Sequence, residues 1–408
     1  MPAKIHLTAF QWEQFFDGAL EHRHVRAGVR HLLARCPICA PLAAQAAARE
    51  EGGDLGPAIP AALERHDTAG RLLRLAQERR RARQAWDVLS RLPPAERLEQ
   101  IESDPDLATF GLCERLMEEC GAACWSQPPA ALDLARLALA VAVRVPCTGA
   151  SRCLLADLRG RALARLADAR RVTGDLDGAW EALANCEEEL ENGTGDPRET
   201  AILERSTGDL LADLWRLDDA CEAFGAAAQI YCTLEDPDLH GQALTQLALA
   251  VGPREPERAI ELLETALAEM SPQGDLRPEL RAVHGKIWLL NDSGRPHEAA
   301  TLLERSRRLY RRLGDPPTLT RLHWLEARIA HRLGRTGEAE LTLQRLWHRL
   351  RDLELPLEHC MLSFDLIQVY VAQGKTAAAL PLAQACYPVL MRYGRDDQAA
   401  SLRGRFGC

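Results

Sequence analysis

Ser293-Gly294-Arg295-Pro296-His297-Glu298-Ala299, Leu333-Gly334-Arg335-Thr336-Gly337-Glu338-Ala339 and Gln373-Gly374-Lys375-Thr376-Ala377-Ala378-Ala379 are three copies of one short phrase. Their glycines stand 40 residues apart, and each is followed five positions later by an alanine. Recurrence at a fixed period of this length marks stacked supersecondary units rather than a single folded core. The alanine slot extends upstream to Ala259, Ala220 and Ala179. A second punctuation keeps the same beat: Asp196-Pro197, Asp236-Pro237 and Asp315-Pro316 open successive segments, with Gly274-Asp275 in the place between the last two.

Each unit reads as helix, tight turn, helix, connection. Glycine suits the left-handed position that ends the first helix. Alanine belongs where two helices cross closely. Asp-Pro stops one unit and starts the next, because proline is accepted only in a helix's first turn. One such pair cannot bury its apolar face alone, so stacking must supply the core.

Gly208, Ala220, Phe224 and Ala227 fit four positions of the tetratricopeptide repeat, and Ala167, Ala179 and Leu183 fit three, with Cys186 in the last place. The sequence resembles that family, whose unit is a helical hairpin of about 34 residues. It departs in its longer period. The resemblance implies an all-α fold: a right-handed superhelical solenoid of hairpins. Six repeats cover roughly 155–400. FGLCERLMEECGAACW near 106–124 and PAALDLARLALAVAVRV at 129–145 read as a degenerate seventh.

Composition agrees. Of 408 residues, 47% are apolar but only 5% aromatic, and Ala, Leu and Arg lose little rotamer freedom in a helix. No run of alternating Val, Ile and Thr predicts a sheet. The 13 cysteines are odd in number and scattered through helical patterns, which suits small core residues in a reduced protein. Cys120 and Cys124 share a helix face, and Cys147 and Cys153 flank a loop; the four thiols could meet, with core packing the expectation for them. The N-terminus has no apolar leader and no run of about 18 apolar residues follows, so a cytoplasmic chain without membrane attachment is expected. Residues 1–100 carry 15 Lys and Arg against 12 Asp and Glu, whereas the remainder carries 35 against 47. An acidic body argues against nucleic acid as its partner. The division expected is a helical module at 1–50, a linker and basic helix (Arg71 to Gln84) at 51–104, the degenerate repeat at 105–150 and the array at 151–408.

The head holds VRHLLARCPIC, with His31, Cys36 and Cys39. Thr8-Ala9-Phe10-Gln11 fits a capping box that starts a helix at residue 9. A second helix is expected over 23–34, and Pro37 can open a third. Zinc takes four tetrahedral N and S ligands, and CxxC supplies two. The arrangement resembles the zinc-binding domain of anti-sigma factors over about residues 6–48. That resemblance implies His31, Cys36 and Cys39 as ligands of one structural zinc, and a sigma factor or similar regulator as the partner of the head. Four residues rather than three separate His31 from Cys36, and the fourth ligand is open among His6, His22 and His24. The alternative is a helical cap with two buried cysteines and a surface histidine.

Enzyme motifs fail. Gln373-Gly374-Lys375-Thr376 lacks the earlier glycine of a phosphate loop, because Val369 stands there. His297-Glu298 lacks the second histidine of a metalloprotease helix, Thr301 taking its place. A non-enzyme is expected. In the resembling repeat family ligands lie in the concave groove formed by the first helices. This register gives Arg281, His284, Trp288 and Asn291 in one repeat, then Arg321, Trp324, Arg328 and His331 in the next, then Met361, Phe364, Gln368 and Val371. Tryptophan and arginine are common binding anchors, and arginine forks pair with carboxylates. The expected function is therefore a regulatory protein-interaction scaffold gripping a protein or acidic peptide. Core packing of Trp288 and Trp324 is the competing reading. A ligand-sensing transcription regulator acting through the head is the alternative class.

Overall fold

The computed structural model describes residues 6–16, 20, 24, 28, 31, 36, 38–49, 67–124, 126–147, 152–271, 276–351 and 355–408. Among the described residues the regular structure is helical throughout, with no strand. The chain forms two compact units, one of residues 1–91 with 109–112, the other of 92–108 with 113–408.

In the first unit, α1 (Ala9–Phe16) begins at the expected capping box: Thr8 N–H donates to Gln11 Oε1 (2.9 Å) and Gln11 N–H to Thr8 Oγ1 (3.2 Å). It packs on α2 (Cys39–Arg49) through a small core of Leu7, Trp12, Phe15, Cys39, Ala43 and Ala46. The helix expected over 23–34 falls mainly outside the described residues. Gly28 is described, and a β-carbon there would lie 3.1 Å from the Leu7 side chain. The basic stretch 71–84 lies inside α3 (Asp67–Leu89).

The second unit opens with α4 (Pro94–Ser103) and the expected degenerate hairpin, α5 (Phe110–Ala123) and α6 (Pro128–Arg144). Cys113 and Cys120 are buried there, their thiols donating to the Ala138 and Ala131 carbonyls. Cys124 is buried as well, while Cys147 and Cys153 are exposed, so core packing holds for the first pair and the four thiols form no cluster. Six hairpins follow. The first is α7 (Arg152–Val172) with α8 (Leu176–Glu191), and the second α9 (Pro197–Asp213) with α10 (Leu217–Thr233). Next come α11 (Pro237–Val251) with α12 (Pro256–Glu269), then α13 (Leu276–Asp292) with α14 (Pro296–Leu313). The last are α15 (Pro316–Arg332) with α16 (Thr336–Arg351) and α17 (Pro356–Ala372) with α18 (Thr376–Arg392), and a single helix, α19 (Asp396–Phe406), ends the stack.

The punctuation acts as its chemistry requires. Gly294, Gly334 and Gly374 have φ of 79°, 80° and 73°, a backbone region that costs glycine nothing. Asp196, Asp236 and Asp315 accept hydrogen bonds from the first-turn amides of Arg198, Leu239 and Thr318. Gly274-Asp275 lies outside the described residues. Ala179, Ala220, Ala259, Ala299, Ala339 and Ala379 are each 0% exposed. A β-carbon on Gly208 would sit 2.6 Å from the Phe224 ring, which explains the small residue at that place.

A larger side chain at such a buried crossing must displace its neighbours. Ala299→Leu should cost about 1–3 kcal/mol, the usual penalty for overpacking a filled core. Chemical denaturation followed by circular dichroism measures it, and an unchanged midpoint would show slack at the crossing.

Candidate functional site

Two places bring together side chains with binding chemistry. In the head, the nearest ligand atoms of His6, His31, Cys36 and Cys39 all lie within 4.8 Å of one another. His6 Nδ1 is 3.4 Å from Cys36 Sγ and 3.5 Å from Cys39 Sγ. The edge between a nitrogen and a sulfur on a zinc tetrahedron is about 3.6 Å, from ordinary Zn–N and Zn–S bond lengths. The imidazoles of His6 and His31 meet edge to face, with centroids 4.8 Å apart. Burial raises the Cys39 thiol's pKa, the adjacent Cys36 adds to that, and the Leu7 backbone and Trp12 partly oppose it.

The three motif residues therefore lie together, and His6 is the histidine that joins them. His24 is described and lies outside the group, and His22 is outside the described residues. Cys36 N–H donates to the His31 carbonyl oxygen, five residues back (2.9 Å). Local spacing could not single out His6, because only packing of the segment before α1 against the later turn brings it there.

In the array, α13 carries Arg281, His284, Trp288 and Asn291, and α15 carries Arg321, Trp324, Arg328 and His331. The two tryptophans meet edge to face at 5.7 Å, and the Arg328 guanidinium lies 3.8 Å above the Trp288 ring. Arg328 also forks to two carboxylates, Asp365 of α17 (2.6 and 2.7 Å) and Asp292 of α13 (2.7 and 2.9 Å). Trp324 is 8% exposed and its indole N–H donates to Asp365 at 2.7 Å. Burial opposes the charge on Arg328, but Asp365 and Asp292 outweigh it and hold its pKa above the ordinary value. Trp324 and Arg328 thus tie three successive repeats together instead of standing free in the groove. His284 bonds Tyr310 Oη (3.0 Å), and its pKa is lowered to about 3 by burial, with Arg321 and Arg328 adding to the effect. Its ring is neutral near pH 7.

The remaining polar groups point elsewhere. Asn291 is 1% exposed, yet its Oδ1 accepts no hydrogen bond. Arg328 Nε and His331 Nδ1 are likewise buried without a partner. All three residues line one small recess of about 20 Å³, together with Asp365 and Gln368. Burial lowers the His331 pKa, although Asp365 partly opposes it. Toward the N-terminal side of the wall, Arg281 is exposed and 3.7 Å from Asp209, which accepts from Gln246 at 2.8 Å. On α17, Met361 and Phe364 are half-buried and Gln368 is exposed.

Asp209, Gln246, Asp292 and Asp365 were missed by the groove register, which placed Asn291 and Phe364, one residue away, on the wall. A signal existed. Opposite charges one repeat apart pair repeatedly, as in Asp292–Arg328, Arg328–Asp365, Arg198–Asp236 and Glu257–Arg295.

No family model matches the sequence, and no curated protein is similar to it. Solved structures are similar in fold. A Rap protein complexed with competence and sporulation factor superposes with a TM-score of 0.55 at 13% identity, over 72% of this chain and 81% of that one. Aspartyl phosphate phosphatase F from Bacillus subtilis superposes with a TM-score of 0.52 at 13% identity, over 93% of this chain and 95% of that one. At this identity the likeness concerns the helical-repeat fold.

Proposed function

We propose that the chain is a regulatory protein-interaction scaffold whose repeat groove holds an extended, acidic peptide segment of a protein partner. The observation that carries this is the recess on α13 and α15, with its buried polar atoms lacking partners. Asn291 Oδ1 is an acceptor and Arg328 Nε–H a donor, the complement of a peptide N–H and C=O. Buried polar groups are ordinarily satisfied, and the main-chain groups of an extended peptide would pair these atoms. Arg281 and Arg321, further toward the N-terminal ends of α13 and α15, favour carboxylates on that ligand. The similar Rap structure is itself a complex with a factor, which supports a binding role at the level of fold. We assign binding and not turnover, in a cytoplasmic setting, to the 151–408 array. The 51–104 and 105–150 segments would serve as its connection to the head.

For the head we infer one structural zinc, held by His6, His31, Cys36 and Cys39. Two imidazoles and two thiols suit a closed tetrahedral site, and the observed N···S separations match its edges. Zinc would supply cross-linking of two chain segments rather than chemistry. A sigma factor or similar regulator as the partner of the head rests on the resemblance of the His31, Cys36 and Cys39 motif alone.

Selection of unstructured peptides from a display library on the intact protein tests the groove. Acidic sequences should be enriched, and Asn291→Ala or Arg281→Ala should weaken the recovered binders by at least tenfold, since a true anchor is worth about 2 kcal/mol. Binders indifferent to both changes would remove the groove from the function.

A further inference from the structure

The last turns of the array return to its first. Arg392 donates a hydrogen bond to the carbonyl oxygen of Gly174, 218 residues away. A β-carbon on Gly174 would lie 2.9 Å from Pro356 Cγ and 3.2 Å from Tyr393 Oη. One on Gly394 would lie 2.6 Å from the Leu214 carbonyl oxygen. Beside these, the Arg395 guanidinium sits 4.2 Å above the Trp215 ring. The array is therefore closed by a seam between the turn regions 174 and 214–215 and the segment 392–395.

Trp215 has φ of 59°. It stands in the turn slot that Gly174, Gly294, Gly334 and Gly374 occupy in other repeats. A bulky side chain is disfavoured there, because its β-carbon crowds the neighbouring carbonyl oxygen. Backbone strain of this kind persists where something depends on it. What Trp215 gains in this place is its ring beneath Arg395, a cation–π contact that glycine cannot make.

The seam is also incompletely bonded. Tyr393 is 1% exposed, and its Oη is buried without a partner, as are Arg395 Nε and Arg171 Nε. Opening lets such groups meet water, so it costs the seam less than it would cost a fully bonded contact.

We propose that this seam is a gate, closed by the Trp215–Arg395 contact, through which an extended peptide segment reaches a groove that the closed array encloses. Its purpose rests on the groove reading above, whereas its opening does not. Hydrogen exchange on the full-length protein without any ligand tests the opening, so failure of the peptide assignment leaves the outcome standing. In the wild type, amides of 392–406 and 173–175 should exchange by local opening, at least tenfold faster than those of α13 and α15. Arg395→Ala should accelerate the seam amides by a further tenfold, with α13 and α15 unchanged and a larger radius of gyration by X-ray scattering. Trp215→Gly should open the seam equally without lowering the melting midpoint, because it removes the backbone strain along with the ring. A tryptophan that is merely structural would instead lower the midpoint. Seam amides as slow as the interior, or unaffected by both substitutions, would overturn the gate. Should Arg395→Ala fail to fold, Trp215→Gly decides alone.

Discussion

Arg328→Ala should destabilise the repeat array by about 3–5 kcal/mol, the usual loss when one member of a buried ion pair is removed and the other is left behind. Asp365 has a side chain only 10% exposed, and it would keep Trp324 N–H as a hydrogen-bond donor but lose its counter-charge. The Trp288 ring would lose the cation above its face. Asp292, at 37% exposed, can turn to water, so it adds little. Arg328→Lys should recover only part of the loss, since one ammonium cannot fork to two carboxylates. Replacing Arg328 by Met together with Asp365 by Leu should cost much less than Arg328→Ala, because no charge is then stranded. Denaturant titration measures all three. In a stacked array unfolding can spread from one repeat, so exchange across α13 to α18 should accompany the titration. An alanine variant as stable as the wild type would show that the Asp292–Arg328–Asp365 tie does not hold the repeats together. Binding tests of the groove are for the same reason better done at Asn291 and Arg281 than at Arg328 or Trp324.

Removing the metal should unfold the head. The intact protein should carry about one zinc per chain, and Cys36→Ser with Cys39→Ser should abolish it. Among the described residues, the core between α1 and α2 has six buried members, with Phe16, Leu20, Cys36 and Leu42 partly buried against them. A core of that size rarely holds a module by itself, whereas structural zinc in small domains contributes about 10–16 kcal/mol of apparent binding free energy near neutral pH. Chelation should therefore erase exchange protection over residues 6–16 and 38–49 and expose Trp12, with α7 to α18 unaffected. His6→Ala should weaken metal binding sharply, while His24→Ala leaves it intact. Metal-free protein with an equally protected head would establish the helical cap instead.

Much of this molecule could be read along the chain. The capping box at Thr8, the aspartates before Pro197, Pro237 and Pro316, and the glycines at 294, 334 and 374 each act within a few residues. Their outcome depends on backbone sterics and local hydrogen bonds, and a repeated unit states the same instruction six times. The buried alanines follow from that repetition, because identical hairpins stack at identical crossings. His31, Cys36 and Cys39 were legible as a motif for the same reason, as near neighbours in the sequence. His6, Asp365 and the Trp215–Arg395 seam were not. Each is a choice of partner made across 30 residues or more, and any of several side chains of the same type satisfies the sequence equally well. Only stacking turns a charge on one helix toward the next, and only the accumulated turn of the whole array brings residue 395 over residue 215. Trp215 left a mark in the sequence, as a tryptophan in a glycine's place, and its meaning became physical once the array had closed upon it.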